Sequence, residues 1–247
     1  MIPKIIHYCW LGDDNYSELV LKCMKSWKDV LPDYEFILWD KTRFNIVDSP
    51  WVEQSYNVKK YAFAADYIRF YALYHFGGIY LDSDVQVLKS FNNLLDNKSF
   101  IGLEISGDFE AAIIGSEKQT TWTYQILEYY KDRNFIKSNG LYDTKPLPLI
   151  IKELMNKDKF NLTNSKFEYF DMTIFPSSYF SPKNIHTNKL LISDETYTIH
   201  HFDGQWVNKG SLHIIKEKIH KLIMKFFGQK THYKIISIVR FFNRINE

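Results

Sequence analysis

Cysteine is scarce here. Cys9 and Cys23 are the only two in 247 residues, which excludes a disulfide scaffold. Cys9 falls in a strand-like run and Cys23 on the apolar face of a predicted helix. Both read as buried free thiols, so a reducing, cytoplasmic setting is expected. Glycine and proline are also few, 10 and 7. No Pro/Gly/Ser-rich linker, low-complexity segment or internal repeat divides the chain, so one main domain over residues 1–208 is expected. No stretch approaches the roughly 20 apolar residues that span a bilayer. The opening MIPKIIHYCWLG has one lysine, a short apolar run broken by His7 and no small-residue cleavage site. It is expected not to act as a signal peptide.

Charge of either sign is not in excess overall, at a net +2, but it is unevenly placed. From Lys209 onward nine Lys or Arg stand against Glu217 and Glu247, giving +7, while the first 208 residues carry 22 basic and 27 acidic groups, or −5. Basic charge confined to a tail argues against nucleic-acid binding. The tail also has apolar residues at helical spacing, from Leu212, Ile215 and Ile219 through Val239, Phe242 and Ile245. A 209–247 helical extension packed on the domain is one reading. A peripheral contact with anionic lipid, at the inner face of a plasma membrane, is the other.

Aromatics are plentiful at 17%. That suits stacking on carbohydrate or nucleobase, although aromatic-rich cores are the commoner cause. The first forty residues read as a β-α-β unit. IPKIIHYCW is a strand, and Leu19 to Leu31 carries apolar residues at 3.6-residue spacing with Ser17 as N-cap and Pro32 as stop. YEFILW is the second strand. Such a unit runs its strands in parallel, and ligands of open α/β sheets lie outside the strands' carboxyl ends. Trp10, Leu11 and Gly12 therefore fall on the ligand-facing edge. Lys59 to Phe76 reads as a further helix, ended by Gly77-Gly78, and IYL as a third parallel strand. SFIGLEI, EAAIIG, MTIFP and TYTIHHF read as later strands, and Thr120–Asp132 and Pro148–Met155 as helices.

Asp82 and Asp84 then emerge at the third strand's carboxyl end. Strand alternation is expected to point both carboxylates the same way. Two oxygen donors so placed suit a hard divalent cation such as Mn²⁺ or Mg²⁺. Alone, Asp-x-Asp is a weak signal, because most such pairs are solvated. Asp66 and Arg69, three apart on the preceding helix and opposite its apolar stripe, add an acid and a cation nearby. An exposed ion pair there would be worth only about 0.3–0.5 kcal/mol.

YAFAADYIRFYALYHFGGIYLDSDV, residues 61–85, resembles the signature of the DXD-containing sugar transferases of glycosyltransferase family 32. These are related to yeast initiating mannosyltransferases and to clostridial glucosylating toxins. The opening IPKIIHYCWLG and the late IHHFDGQW are similar to that family's first strand and closing His…Trp segment. The resemblance implies a GT-A type α/β fold, a mostly parallel central sheet flanked by helices, and retaining transfer from a nucleotide sugar. It further implies that Trp10 stacks on the nucleobase, that Asp66 and Arg69 hold the sugar ring, and that Asp82 and Ser83 contact the donor. Asp84 would ligate the metal beside Asp82, His201 rather than His200 would complete the shell, and Trp206 would donate to the diphosphate. UDP is the first nucleotide expected and GDP the second. The acceptor would be a glycan or lipid-linked saccharide, in bacterial capsular or other surface polysaccharide synthesis. Glu104 and Asp108 are the carboxylates a covalent retaining route would use, though front-face attack is expected. Two other classes stay open. One is a Mg²⁺-dependent aspartyl-phosphate phosphohydrolase, whose Asp-x-Asp also follows an apolar strand. The other is a non-catalytic nucleotide-sugar-binding module.

Overall fold

A computed structural model describes residues 1–155, 165–184 and 189–203. Trp206 and the 209–247 segment, with its expected helices, lie outside the described residues. The chain divides into two compact units, residues 1–183 with 191–203, and residues 184–190 with 204–247. Every element below belongs to the first.

The expected β-α-β start is present. Strand β1 (Ile5–Cys9) leads to helix α1 (Glu18–Val30) and strand β2 (Glu35–Trp39). Ser17 caps the helix by accepting from the Val20 N–H, and Val20, Cys23 and Trp27 form its buried stripe. The two strands pair in parallel, Ile5 with Glu35 through Cys9 with Trp39. Helix α2 (Pro50–Asn57) and helix α3 (Tyr61–Phe76) follow. Within α3, Ile68, Phe70 and Leu73 are fully buried, each contributing about 1.5–3 kcal/mol of apolar burial.

Gly77 and Gly78 then turn the chain at once into β3 (Gly78–Leu81), with φ of +66° and +109°. A Cβ on Gly78 would lie 2.6 Å from the Ile5 carbonyl oxygen, so only glycine fits this crossing of β3 on β1. After β4 (Val85–Val87), β5 (Ser99–Leu103) and β6 (Phe109–Ser116) come helices α4 (Thr121–Tyr130) and α5 (Leu147–Leu154). Strands β7 (Phe167–Tyr169) and β8 (Met172–Phe175), helix α6 (Ser177–Phe180) and strand β9 (Thr198–His200) complete the unit.

Seven strands form one sheet in the order β2-β1-β3-β6-β5-β8-β7. Five of them, β1, β2, β3, β5 and β8, run the same way, while β6 and β7 oppose them. This is the mostly parallel α/β sheet expected for a GT-A type fold. Every residue of β3 is buried, and alternation divides them between two cores. Tyr80 faces the core built by α2 to α5. Ile79 and Leu81 face Trp27, Val85, Phe91 and Phe180 on the other side.

Strand β4 stands apart and pairs antiparallel with β9, Val85 opposite His200. Backbone groups of β4 not taken by β9 are satisfied from α1. The Trp27 indole N–H donates to the Val85 carbonyl at 2.7 Å, and the Val87 N–H donates to Ser26 Oγ at 2.9 Å. This ribbon brings the distant 198–203 segment to the carboxyl end of β3.

Candidate active site

The chain leaves β1 at Trp10 and β3 at Asp82, and these parallel neighbours open onto the same edge. Strand β3 has ended before Asp82, so pleat alternation does not align the two aspartates. Asp82-Ser83-Asp84 is instead a turn, closed by a Val85 N–H to Asp82 carbonyl bond of 3.1 Å. The Asp82 N–H is tied to the Ala112 carbonyl at 2.9 Å.

Arg69 is the anchor beneath this turn. Its guanidinium reaches Asp66 at 2.9 Å, Asp82 at 3.4 Å and the Ala111 carbonyl at 2.6 Å. It lies 4.6 Å from the centre of the Tyr80 ring. Asp66 and Arg69 are both buried, at 9% and 5% exposure, so they do not form the exposed pair that their place opposite the apolar stripe suggested. The helix is packed on that face as well. Burial pushes the Asp66 carboxyl up to about 7, Arg69 opposing and Asp82 reinforcing the shift. The same two forces raise Asp82 by burial and oppose the rise through Arg69.

Asp84 lies in a different field. Burial works against its charge, but His200 and the Asp203 N–H, 2.8 Å from Oδ2, outweigh it and hold the carboxyl at about 2. His200 Nε2 is 3.5 Å from Asp84 Oδ1. Its Nδ1 lies 3.1 Å from both oxygens of Glu110. Burial alone would lower the His200 pKa, yet Glu110 and Asp84 raise it well above the ordinary value.

It is His200, not the expected His201, that stands beside the aspartates. His201 follows the last residue of β9 and turns away from the aspartates, its Nε2 meeting Gln86 Oε1 at 3.1 Å. Gln86 is paired with Ile199, on the same side as His201. Among the described residues, Asp82, Asp84 and His200 form the group able to hold a metal ion, with one ligand atom from each within 4.8 Å of the others. The two carboxylates suit Mn²⁺ or Mg²⁺, and the added imidazole favours Mn²⁺, the softer of the two.

Trp10 is half-buried at the same edge. Its indole N–H donates to the Asp14 carbonyl at 3.1 Å, and its ring meets Tyr16 edge-on at 4.7 Å. Ser83 is half-buried within the turn. Glu104 and Asp108 occupy the loop joining β5 to β6, at the carboxyl end of β5. The Glu104 N–H bonds the Asp108 carbonyl at 2.8 Å. Burial, with the nearby charge of Glu110, pushes Glu104 up to about 8. Glu110 itself was not among the expected site residues. Its signal was readable, because FEAAIIG places one acid inside a run that must be buried if it is a strand.

Residues 17–101 match the family described as "Glycosyltransferase sugar-binding region containing DXD motif". That match covers the α1-to-β5 portion that positions Arg69, Asp82 and Asp84. The chain is 30% identical over 158 residues to inositol phosphoceramide mannosyltransferase 3 of Schizosaccharomyces pombe, covering 61% of this chain and 44% of that one. It is 25% identical over 243 residues to mannosyl phosphorylinositol ceramide synthase CSH1 of Saccharomyces cerevisiae, covering 94% and 63% respectively. The chain thus spans less than two thirds of either relative's length. Among solved structures, the PaToxG glycosyltransferase overlaps 51% of this chain and 59% of its own, at 24% identity and a TM-score of 0.43. Residues 17–101 are thus similar to the DXD-containing sugar-binding region of glycosyltransferases.

Proposed function

We propose that this protein is a metal-dependent retaining glycosyltransferase. It moves a hexose or N-acetylhexosamine from a nucleotide sugar to a glycan or lipid-linked saccharide. The observation that carries this reading is the convergence of Asp82, Asp84 and His200 at the carboxyl edge of the sheet. A divalent cation held by these residues would offset the charge that gathers on the donor's diphosphate as its bond to the sugar C1 stretches.

The chain's own groups do the rest. Arg69 fixes Asp82 and Asp66 in one orientation. Asp66, Asp82 and Ser83 meet the sugar and ribose hydroxyls, and Trp10 offers a ring face to the base. Trp206, outside the described residues, supplies an indole N–H to the diphosphate. Retention follows from front-face attack, in which the departing phosphate oxygen accepts the acceptor's proton. A covalent route needs an ionised carboxylate, and burial together with the charge of Glu110 disfavours ionisation of Glu104.

UDP remains the first nucleotide to try and GDP the second, with mannose the first sugar because both fungal relatives bear mannosyl names. Those relatives are also named for ceramide lipids. A lipid-borne acceptor at the inner face of a membrane suits the basic 209–247 segment as a surface contact, in surface-glycan synthesis. Deleting residues 229–247 is expected to lower liposome binding; unchanged binding would remove that contact.

The test is a thermal-shift panel of UDP-, GDP- and CMP-sugars with and without Mn²⁺. A donor at about 100 times its dissociation constant adds about 2.7 kcal/mol of stability. One nucleotide sugar is expected to shift the melting temperature only when Mn²⁺ is present, and then to be turned over. A shift with metal and a phosphate mimic, but with no sugar nucleotide, would instead favour the phosphohydrolase. Donor binding without hydrolysis or transfer to any acceptor would leave a binding module.

A further inference from the structure

Glu110 is 1% exposed, and the reading above gives it no task. It sits where the β5–β6 ladder breaks. Ile101 pairs with Ile114, yet the next residue, Gly102, pairs with Glu110. Residues 111–113 are therefore carried past a single step of β5. Bulges of this kind release main-chain groups and re-aim side chains, often beside active sites.

Three main-chain groups of this stretch are used beside the metal cluster. The Ala111 carbonyl accepts from Arg69 Nη1 at 2.6 Å. The Ala112 carbonyl accepts from the Asp82 N–H at 2.9 Å. The Ala112 N–H donates to Glu110 Oε1 at 3.0 Å, which sets the carboxylate plane. That carboxylate then meets His200 Nδ1 with both oxygens at 3.1 Å. Nε2, the other ring nitrogen, is left on the side of Asp84.

We propose that Glu110 is a positioning residue for the metal site: it accepts the Nδ1–H of His200, fixes that tautomer and turns Nε2 toward Asp82 and Asp84. The inference rests on the reading of those three residues as metal ligands. A buried carboxylate costs several kcal/mol unless it is paired, so a bulge that buries one behind a histidine needs a compensating task. Holding a ligand histidine is such a task, and losing the partner lowers metal affinity by about 10–100-fold. Glu110 acts through His200 and touches no substrate.

The experiment measures Mn²⁺ dissociation constants of the full chain without donor, by counting free Mn²⁺ in its EPR signal. Wild type is compared with Glu110→Ala, Glu110→Gln, His200→Ala, the Glu110→Ala/His200→Ala double variant and Asp84→Asn. Near-UV circular dichroism and the melting temperature report folding. Glu110→Ala is expected to weaken Mn²⁺ binding by about 10–100-fold. Glu110→Gln, whose amide oxygen still accepts from Nδ1–H, should stay within a few-fold of wild type. In the His200→Ala background, Glu110→Ala should add nothing, because both changes remove one unit.

Wild-type affinity in Glu110→Ala, or a full further loss in the His200→Ala background, would overturn the proposal. If Glu110→Ala does not fold, Glu110→Asp serves in its place, in both backgrounds. It keeps the charge but withdraws it from Nδ1 by one methylene, and the same two outcomes decide. Unchanged affinity in Asp84→Asn would sink the metal-site reading itself. A loss in Asp84→Asn with wild-type affinity in Glu110→Ala would sink only the role of Glu110.

Discussion

His7, fully buried, and His200, largely buried, lie in strands of one unit, and their neighbours treat them in opposite ways. His7 meets dipoles. Its Nε2–H donates to the Gly77 carbonyl at 2.7 Å, and its Nδ1 accepts from the Trp39 indole N–H at 3.0 Å. Burial therefore lowers its pKa to about 4, with Gly77 opposing and Arg43 adding to the fall. His200 meets charges, Glu110 on one nitrogen and Asp84 near the other, and they raise its pKa although burial opposes the rise. The first histidine clips β1, β2 and the Gly77–Gly78 turn together as a neutral linker. The second is an internal cation among acids, a place where a metal ion can substitute for a proton. A histidine in a hydrophobic strand carries no functional meaning until its hydrogen-bond partners are known.

The sharpest way to break that contrast is Asp84→Asn. Turnover supported by Mn²⁺ is expected to fall by at least about 1,000-fold, equivalent to about 4 kcal/mol. Asn keeps an oxygen to accept the Asp203 N–H, so the melting temperature should stay close to wild type. Donor turnover at saturating Mn²⁺ is the readout. A loss under tenfold would put the His200 cluster in the same structural category as His7.

Gly78→Ala probes the His7 side with a smaller effect. The new Cβ would stand 2.6 Å from the Ile5 carbonyl and 3.2 Å from His7 Nε2, at a φ of +109°. Strain and crowding together should cost about 2–4 kcal/mol in urea unfolding. Mn²⁺ affinity of the folded fraction should not change. An unchanged unfolding midpoint would mean that the tight crossing at Ile5 is not required.

What could be read along the chain follows the same division. Ser17, the stripe through Trp27, and Gly77-Gly78 are local signals, and the elements they mark formed where expected. Helix α2 was missed although Ser49 and Pro50 are a cap and an N1 proline, because PWVEQSYN is short and weakly periodic. Asp66, Arg69, Asp82 and Asp84 are close in sequence, and the structure brings them together. What His200 and Glu110 face was not legible, for a non-local reason. The pairing of β4 with β9, more than 100 residues apart, decides which of two adjacent histidines faces the aspartates. A bulge against β5 decides where Glu110 points. Neither register can be read from periodicity alone.

Lowering the pH tests whether His7 is held neutral. Its ordinary pKa is 6.5 and its folded value about 4, so between those pH values the unfolded chain binds more protons. Stability is fully present above pH 6.5, falls as pH drops toward 4, and then levels off. The whole loss is about 3 kcal/mol, from about 1.36 kcal/mol per pKa unit. Burial is the main cause, and a proton added at Nδ1 would also point at the Trp39 N–H, donor against donor. Other groups titrate in the same range, so the informative quantity is a difference between two chains. Urea unfolding of wild type and His7→Gln, in chelator from pH 7.5 to 4, should show the wild-type advantage shrinking by about 3 kcal/mol. Glutamine at this position has no proton to gain, so its own curve lacks that component. If the two curves stay parallel across the range, His7 accepts its proton in the folded state without penalty, and the distinction between a histidine clipped by dipoles and one held among charges fails at its neutral end.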